Sequence, residues 1–375
     1  MNISPNNQNI YFSKGTWEID DFRATCYNSG ANFNFTTDAF KKGNKSIILN
    51  FEMPNVVEGY TPILAWRING LIWEYAHMSE QMTITLPQGV NDATEDPVMN
   101  GIANHYIEVW VRTISINKPR WSWNGNINNN VIILKSITID DSASILETIQ
   151  PETTMLCIGA SFTEGYGTVG IEHSDFKAND TTCSWGALLG TSLGFNVATS
   201  GYAGSGFSKG GSGDSPSVRI SYKYMDADIP RDFKDIDIAA FNIGSNDGDM
   251  SSENFIAAAS EMIDDLRTRY PDMILLFTTP FWGTHQSSWL AVSEKYADDA
   301  KVIYIETIYP QLVGHPTISN YRQYILPDLV KKAKKSLFCL NNDAVNTVYI
   351  NQKNSSESIT LKPSNPFEAL KIKRI

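Results

Sequence analysis

Four stretches of the chain hold residue types suited to nucleophilic catalysis. The first is Ile158-Gly159-Ala160-Ser161-Phe162-Thr163-Glu164-Gly165-Tyr166-Gly167, in which a serine directly follows the apolar run Met155–Ile158. A serine at the carboxyl end of a buried strand stands at the mouth of a loop, where its hydroxyl can meet a ligand. The second is Ser200-Gly201-Tyr202-Ala203-Gly204-Ser205-Gly206, behind the apolar run Phe195–Ala198. Glycines let backbone approach a substrate closely, and their N–H groups can stabilise an oxyanion. The third is Asn242-Ile243-Gly244-Ser245-Asn246-Asp247, where an amide side chain can donate a hydrogen bond to a developing oxyanion. The fourth is Gly314-His315-Pro316. A serine hydroxyl needs a base, and imidazole titrates in the right range. The chain has 5 histidines: His77 and His105 early on, His173 in a polar loop after the serine, His285 in a Trp-flanked loop, and His315. Taken singly, each stretch also reads as ordinary structure: a strand-end serine, a tight turn, an Asn-Asp turn, a loop histidine.

The elements around these stretches change character near residue 150. Before it, short β-type runs alternate with turns: Ser46–Phe51, Ile63–Trp66, Leu71–Tyr75, Met82–Leu86, Tyr106–Val111 and Val131–Ile139. Runs of this kind, rich in Ile, Val, Trp and Tyr and separated by Gly, Asn, Pro and Asp, predict an all-β sandwich of jelly-roll type over 1–150. Ser142–Ile149 reads as a short helical turn leading to Pro151. After Pro151, buried-type strands at Met155–Ile158, Ile236–Ile243, Met273–Thr279 and Val302–Ile308 alternate with helical patterns at Ser184–Leu193, Ser252–Tyr270 and Asn320–Lys335. Pro327 should kink or restart the last helix. This alternation predicts an α/β domain over 151–340, a parallel sheet with helices on both faces. Its active site would lie at the carboxyl ends of the strands. The tail, 341–375, returns to β-type runs and predicts a small C-terminal β appendage.

Composition narrows the partners. Lys+Arg number 30 against 41 Asp+Glu, a formal net charge of −11, so the basic face of a nucleic-acid binder is not expected. No apolar stretch reaches the roughly 18 residues of a membrane span, so membrane insertion is not expected either. Met1–Lys14 is polar and Asn-rich and lacks the features of a secretory signal. The cysteines Cys26, Cys157, Cys183 and Cys339 form no CxxC and read as reduced thiols. Neither a metal nor a cofactor is expected, and Asp247-Gly248-Asp249 reads as a turn. Aromatic residues make up 11% of the chain, which suits both a sandwich core and surfaces that stack on sugar rings.

Gly-x-Ser-x-x-x-Gly, a Gly-rich second block, Gly-x-Asn-Asp and a late His-Pro, in that order and each at a strand end, resemble the SGNH (GDSL-type) hydrolases over about Met155 to Lys335. The run Gly-Ala-Ser-Phe-Thr-Glu-Gly-Tyr-Gly, with Ser200-Gly201 and Gly244-Ser245-Asn246-Asp247, looks most like the two-domain carbohydrate esterases of family two. The stretches Trp66–Gly70 and His105–Val109 are compatible with the N-terminal jelly roll of those enzymes. The resemblance implies a flavodoxin-like SGNH domain behind a jelly roll, and removal of O-acetyl groups from a poly- or oligosaccharide without a cofactor. It implies Ser161 as nucleophile and His315 as general base. The oxyanion would be held by Ser161, Gly201 or Gly204, and Asn246. Tyr166, Tyr202, Trp282, His285 and Trp289 are the rings expected to line a sugar site. The competing expectation is a catalytically silent glycan-binding or structural protein, such as a phage tail protein, on the same scaffold. The setting could be extracellular, virion-borne or cytoplasmic.

Two positions depart from the pattern. Ala160 stands where the first block usually has Asp. Leu312 stands where an Asp often precedes the histidine by three, and no carboxylate lies between Glu306 and His315. A Ser-His dyad, with the imidazole oriented by a backbone carbonyl or a distant acid or left unsupported, is therefore expected in place of a full triad.

Overall fold

The computed structural model describes residues 1–39, 45–87, 104–123, 125–170 and 176–337. The β-type runs of the first part form two antiparallel sheets, each six-stranded among the described residues. One runs Glu18–Ile19, Ala24–Cys26, Ile132–Thr138, Ser46–Glu52, Gln81–Thr85, with Asn2–Ile3 also on Ile132–Thr138. The other runs Ile145–Leu146, Asn32–Thr37, His105–Thr113, Ile63–Ile68, Glu74–His77, with Tyr11–Phe12 also on Asn32–Thr37. Strand side chains alternate between faces. Ile47, Leu49 and Phe51, with Met82 and Ile84, therefore point inward and meet Phe33, Phe35, Ile107 and Val109 of the facing sheet.

Two local expectations differ from the structure. The strand predicted at Leu71–Tyr75 lies at Glu74–His77. Asn69 and Gly70 both take positive φ, 53° and 71°, so the turn begins there and the return strand starts later. The Ser142–Ile149 stretch is extended where a helical turn is predicted. Asp38 accepts from Ser144 N–H at 2.7 Å and Thr37 Oγ1 donates to Ser144 O at 2.9 Å, which draws Ile145–Leu146 onto the sheet.

From Thr154 onward the strands are parallel, in the order Asn196–Gly201, Thr154–Gly159, Ile238–Asn242, Ile274–Thr278, Val302–Ile305. This is the 2-1-3-4-5 order of flavodoxin-like sheets. The inner strands are nearly continuous apolar runs because both faces are covered, whereas the edge strand Asn196–Gly201 carries Asn196, Thr199 and Ser200. Met155, Cys157 and Leu276 pack on one side with Trp185, Leu189 and Leu329. Leu156, Ile158, Phe241 and Phe277 pack on the other with Phe255, Ile263 and Leu266. Two helices begin at serine caps. Ser184 accepts from Ala187 N–H ahead of Trp185–Leu193, and Ser251 accepts from Asn254 N–H ahead of Ser252–Arg269. The final helix starts at Ile318 and widens to a π-turn at Tyr321–Ile325 just before Pro327. A proline clashes with the carbonyl four residues back, and the wider turn relieves it. The predicted appendage at 341–375 lies outside the described residues, as do His173 and Cys339. Among the described residues no helix is long and apolar enough to cross a membrane.

The sandwich meets the α/β half along the edge strand Asn196–Gly201. Thr199 N–H donates to Gly30 O at 3.3 Å, and Asn32 Nδ2 donates to Val197 O at 2.8 Å. Gly30 has φ +86°, and a Cβ there would lie 2.0 Å from Thr199 Oγ1, so this approach requires glycine.

Candidate active site

The Thr154–Gly159 strand delivers Ser161 to the carboxyl edge of the sheet. A Cβ at Gly159 would meet Thr163 Oγ1 at 2.3 Å and Asn242 O at 2.6 Å, so only glycine lets the chain turn there. Thr163 and Glu164 N–H both donate to Ala160 O at 3.0 Å, closing a single helical turn. Trp185 Nε1 donates to Thr163 Oγ1 at 2.9 Å and fixes that turn from the next helix. Ser161 is buried, and its Oγ lies 2.8 Å from His315 Nε2.

His315 reaches the serine from the loop after the last strand. Thr317 and Asn320 form a reciprocal cap, and Ile318 N–H donates to Thr168 O at 2.9 Å, which ties this loop to the segment after Ser161. Three rings pack round the imidazole: Tyr166 at 4.7 Å, Trp282 at 5.3 Å and Phe162 at 5.6 Å between centroids. Burial, with the Glu164 charge adding to it, pushes the Tyr166 hydroxyl above its usual range, so it stays protonated at neutral pH.

The second and third blocks are stitched together beside this pair. Asn246 Nδ2 donates to Ser205 O at 2.8 Å. Asp247 is buried and accepts from Phe207 N–H at 3.0 Å, Ser208 N–H at 2.8 Å and Ser208 Oγ at 2.8 Å. A Cβ at Gly206 would fall 2.4 Å from Asp247 Oδ1. Asp247 is thus the anchor of the Gly-rich loop. Tyr202, Ala203 and Ser205 N–H each have acceptors in Gly159 O, Glu164 Oε2 and Tyr202 O. Gly204 N–H, on a residue with φ +83°, has none among the described residues. Gly201 lies beneath the serine's turn, with its carbonyl accepting from Arg120 at 3.3 Å.

No protein-family model matches the chain, and no curated protein matches it. Solved structures do. A family two carbohydrate esterase from Clostridium thermocellum, in complex with cellohexaose, superposes with a TM-score of 0.67 at 18% identity, over 88% of this chain and 99% of that one. A family two esterase from Cellvibrio japonicus gives 0.69 at 17%, over 91% and 98%. An acetyl xylan esterase from the rumen bacterium Butyrivibrio proteoclasticus gives 0.68 at 12%, over 90% and 98%. The fold is that of the family two carbohydrate esterases.

On this esterase fold the five rings named from sequence separate. Tyr166 and Trp282 stand beside His315, and Trp282 is 40% exposed. Of the other three, Tyr202 and Trp289 are buried and His285 is half-buried. Tyr202 is buried under the Arg120 guanidinium and against Trp121, with its hydroxyl on Met225 O. Trp289 is buried on Phe255 and Phe277 and donates to Ile243 O at 3.0 Å. His285 stacks on Phe255 and joins Asp247 O at 2.6 Å through Nε2. Sequence spacing does not say which way a ring turns, and Tyr202 packs on Arg120 and Trp121, His285 on Phe255, and Trp289 on Phe255 and Phe277.

Glu164 and Arg120 are not among the residues the sequence blocks single out. Both are fully buried, and they pair at 2.8 Å. The available signal was a carboxylate inside an otherwise uncharged glycine-rich block.

Proposed function

We propose that this protein is a serine esterase that removes O-acetyl groups from a carbohydrate. The 2.8 Å contact between Ser161 Oγ and His315 Nε2 carries the reading. With the imidazole proton on Nδ1, Nε2 takes the hydroxyl proton as Oγ attacks the ester carbonyl. Asn246, with Gly204 N–H and Ser161 N–H, stabilises the tetrahedral oxyanion. His315 then protonates the departing sugar oxygen, and water repeats the sequence on the acyl-serine, releasing acetate. Two further features support a sugar leaving group. The fold is shared with carbohydrate esterases, and Trp282 and Tyr166 offer ring faces beside the base.

The test is acetate release from acetylated xylan, mannan, pectin and bacterial surface glycans, comparing wild type with Ser161→Ala. Release by wild type and none by the variant is expected. Equal release by both would sink the mechanism. No release by wild type, with no labelling of Ser161 by a fluorophosphonate, would favour a silent glycan-binding protein.

A further inference from the structure

We propose that Arg120, supplied by the N-terminal sandwich, is a positioning residue of the hydrolase, holding the oxyanion loop in register with Ser161. This rests on the esterase reading above. Glu164 lies three residues after the nucleophile on the same turn, and its carboxylate is fully buried. Oε2 accepts from Ala203 N–H at 2.7 Å, so the segment leading to Gly204 hangs from the nucleophile's own turn.

Arg120 is the counter-charge of that carboxylate and is also fully buried. Its fork reaches well beyond Glu164. One terminal nitrogen donates to Ser212 Oγ at 3.0 Å, at the far end of the Gly-rich loop. The other donates to Gly201 O at 3.3 Å and to Asn28 Oδ1 at 3.3 Å. The plane of the fork lies over the Tyr202 ring, 4.8 Å from its centroid. Asn28 in turn donates to Ser200 Oγ at 3.0 Å, and Arg231 donates to the same oxygen at 2.9 Å. The backbone of Arg120 is itself anchored, its N–H on Gly213 O at 2.7 Å.

The loop carrying Gly204 is therefore gripped at Ser200, Gly201, Ala203 and Ser212 by one network. Its two sandwich members are Arg120 and Asn28. Removing the guanidinium would leave a buried carboxylate without compensation, and the loop would relax away from Ser161. Lysine keeps the charge but cannot reproduce a planar fork with several donors.

The experiment uses the full chain and an activated acetyl ester. Active sites are counted by fluorophosphonate labelling of Ser161, and folding is checked by circular dichroism. In folded Arg120→Lys, kcat per labelled site should fall about a hundredfold with KM nearly unchanged, the scale that a misplacement near 1 Å produces. The Ki of a boronic acid, whose tetrahedral adduct places an oxygen where the oxyanion forms, should rise by a similar factor. A purely structural role would lower the number of labelled sites and leave both values per site unmoved. That result overturns the proposal. Asn28→Ala provides a second variant should Arg120→Lys not fold. It should show a smaller shift in the same direction, and wild-type kcat and Ki per labelled site in it would also overturn the proposal. A wild type that neither labels nor turns over removes the esterase reading and this inference together.

Discussion

Ser161 Oγ and His315 Nε2 lie 2.8 Å apart, although 154 residues separate them along the chain. Four of the five strands of the parallel sheet lie between them in sequence, and the fifth, Thr154–Gly159, leads directly into Ser161, so their contact depends on the whole α/β half. His315→Gln keeps a polar side chain of similar reach but no base. Its kcat/KM on p-nitrophenyl acetate should fall by about 10²–10⁴, the usual contribution of general acid–base catalysis. Steady-state kinetics on the folded variant checks this, and a loss below tenfold would rule out His315 as the base.

Asn246 already gives one N–H to Ser205 O, which sets the plane of its amide. Asn246→Ala should lower kcat by about 10²–10³, as for other single oxyanion donors. Because the Ser161–His315 contact is untouched, the number of phosphonylated sites should stay at the wild-type level.

Trp282 is 40% exposed and edges against both Phe162 and His315. Trp282→Ala should raise KM for an acetylated oligosaccharide by about tenfold, with a smaller effect on p-nitrophenyl acetate. Equal losses on both substrates would place the ring's role in holding His315 and not in binding sugar.

Gly201 has no space for a side chain. A Cβ there would lie 2.5 Å from Glu164 N and 2.7 Å from Ala160 O, both backbone atoms. Gly201→Ala should destabilise the fold by about 1–3 kcal/mol. Urea unfolding would measure this, with reduced turnover alongside because the strain falls on the nucleophile's turn.

His105 is buried in the sandwich, with Nδ1 2.9 Å from Asn69 Nδ2. Burial lowers its pKa below the ordinary 6.5. The unfolded chain therefore takes up the proton first as pH falls. Stability from this residue is complete above about pH 6.5 and is lost as pH drops through the folded-state value. Thermal melts between about pH 8 and pH 5 should show this decline, and His105→Gln should flatten it. An unchanged slope in the variant would assign the decline to other groups.

The α/β half was legible because its inner strands are buried on both faces and the helices Trp185–Leu193 and Ser252–Arg269 begin at serine caps. The four candidate blocks were legible because glycine, serine, asparagine and histidine stood at strand ends in sequence order. The structure brings Ser161 to His315 and Asn246 to the loop of Gly204. What the sequence did not reveal depends on side-chain direction. Tyr202 and His285, in loops, and Trp289, on the helix Gln286–Lys295, turn toward Arg120, Phe255 and Phe277. Arg120 was unreadable for a related reason. It lies in the sandwich, 44 residues before the carboxylate it pairs with, and only the docking of the two halves brings them together.

The Asn196–Gly201 strand forms one border of the parallel sheet, and a bare border of that kind is a template for pairing with another chain. Here Gly30 and Asn32 occupy its outer hydrogen-bonding groups at Thr199 and Val197. The sandwich therefore covers this border in the folded protein. An α/β half made without it would expose a sticky rim and be prone to self-association, independent of any effect on catalysis.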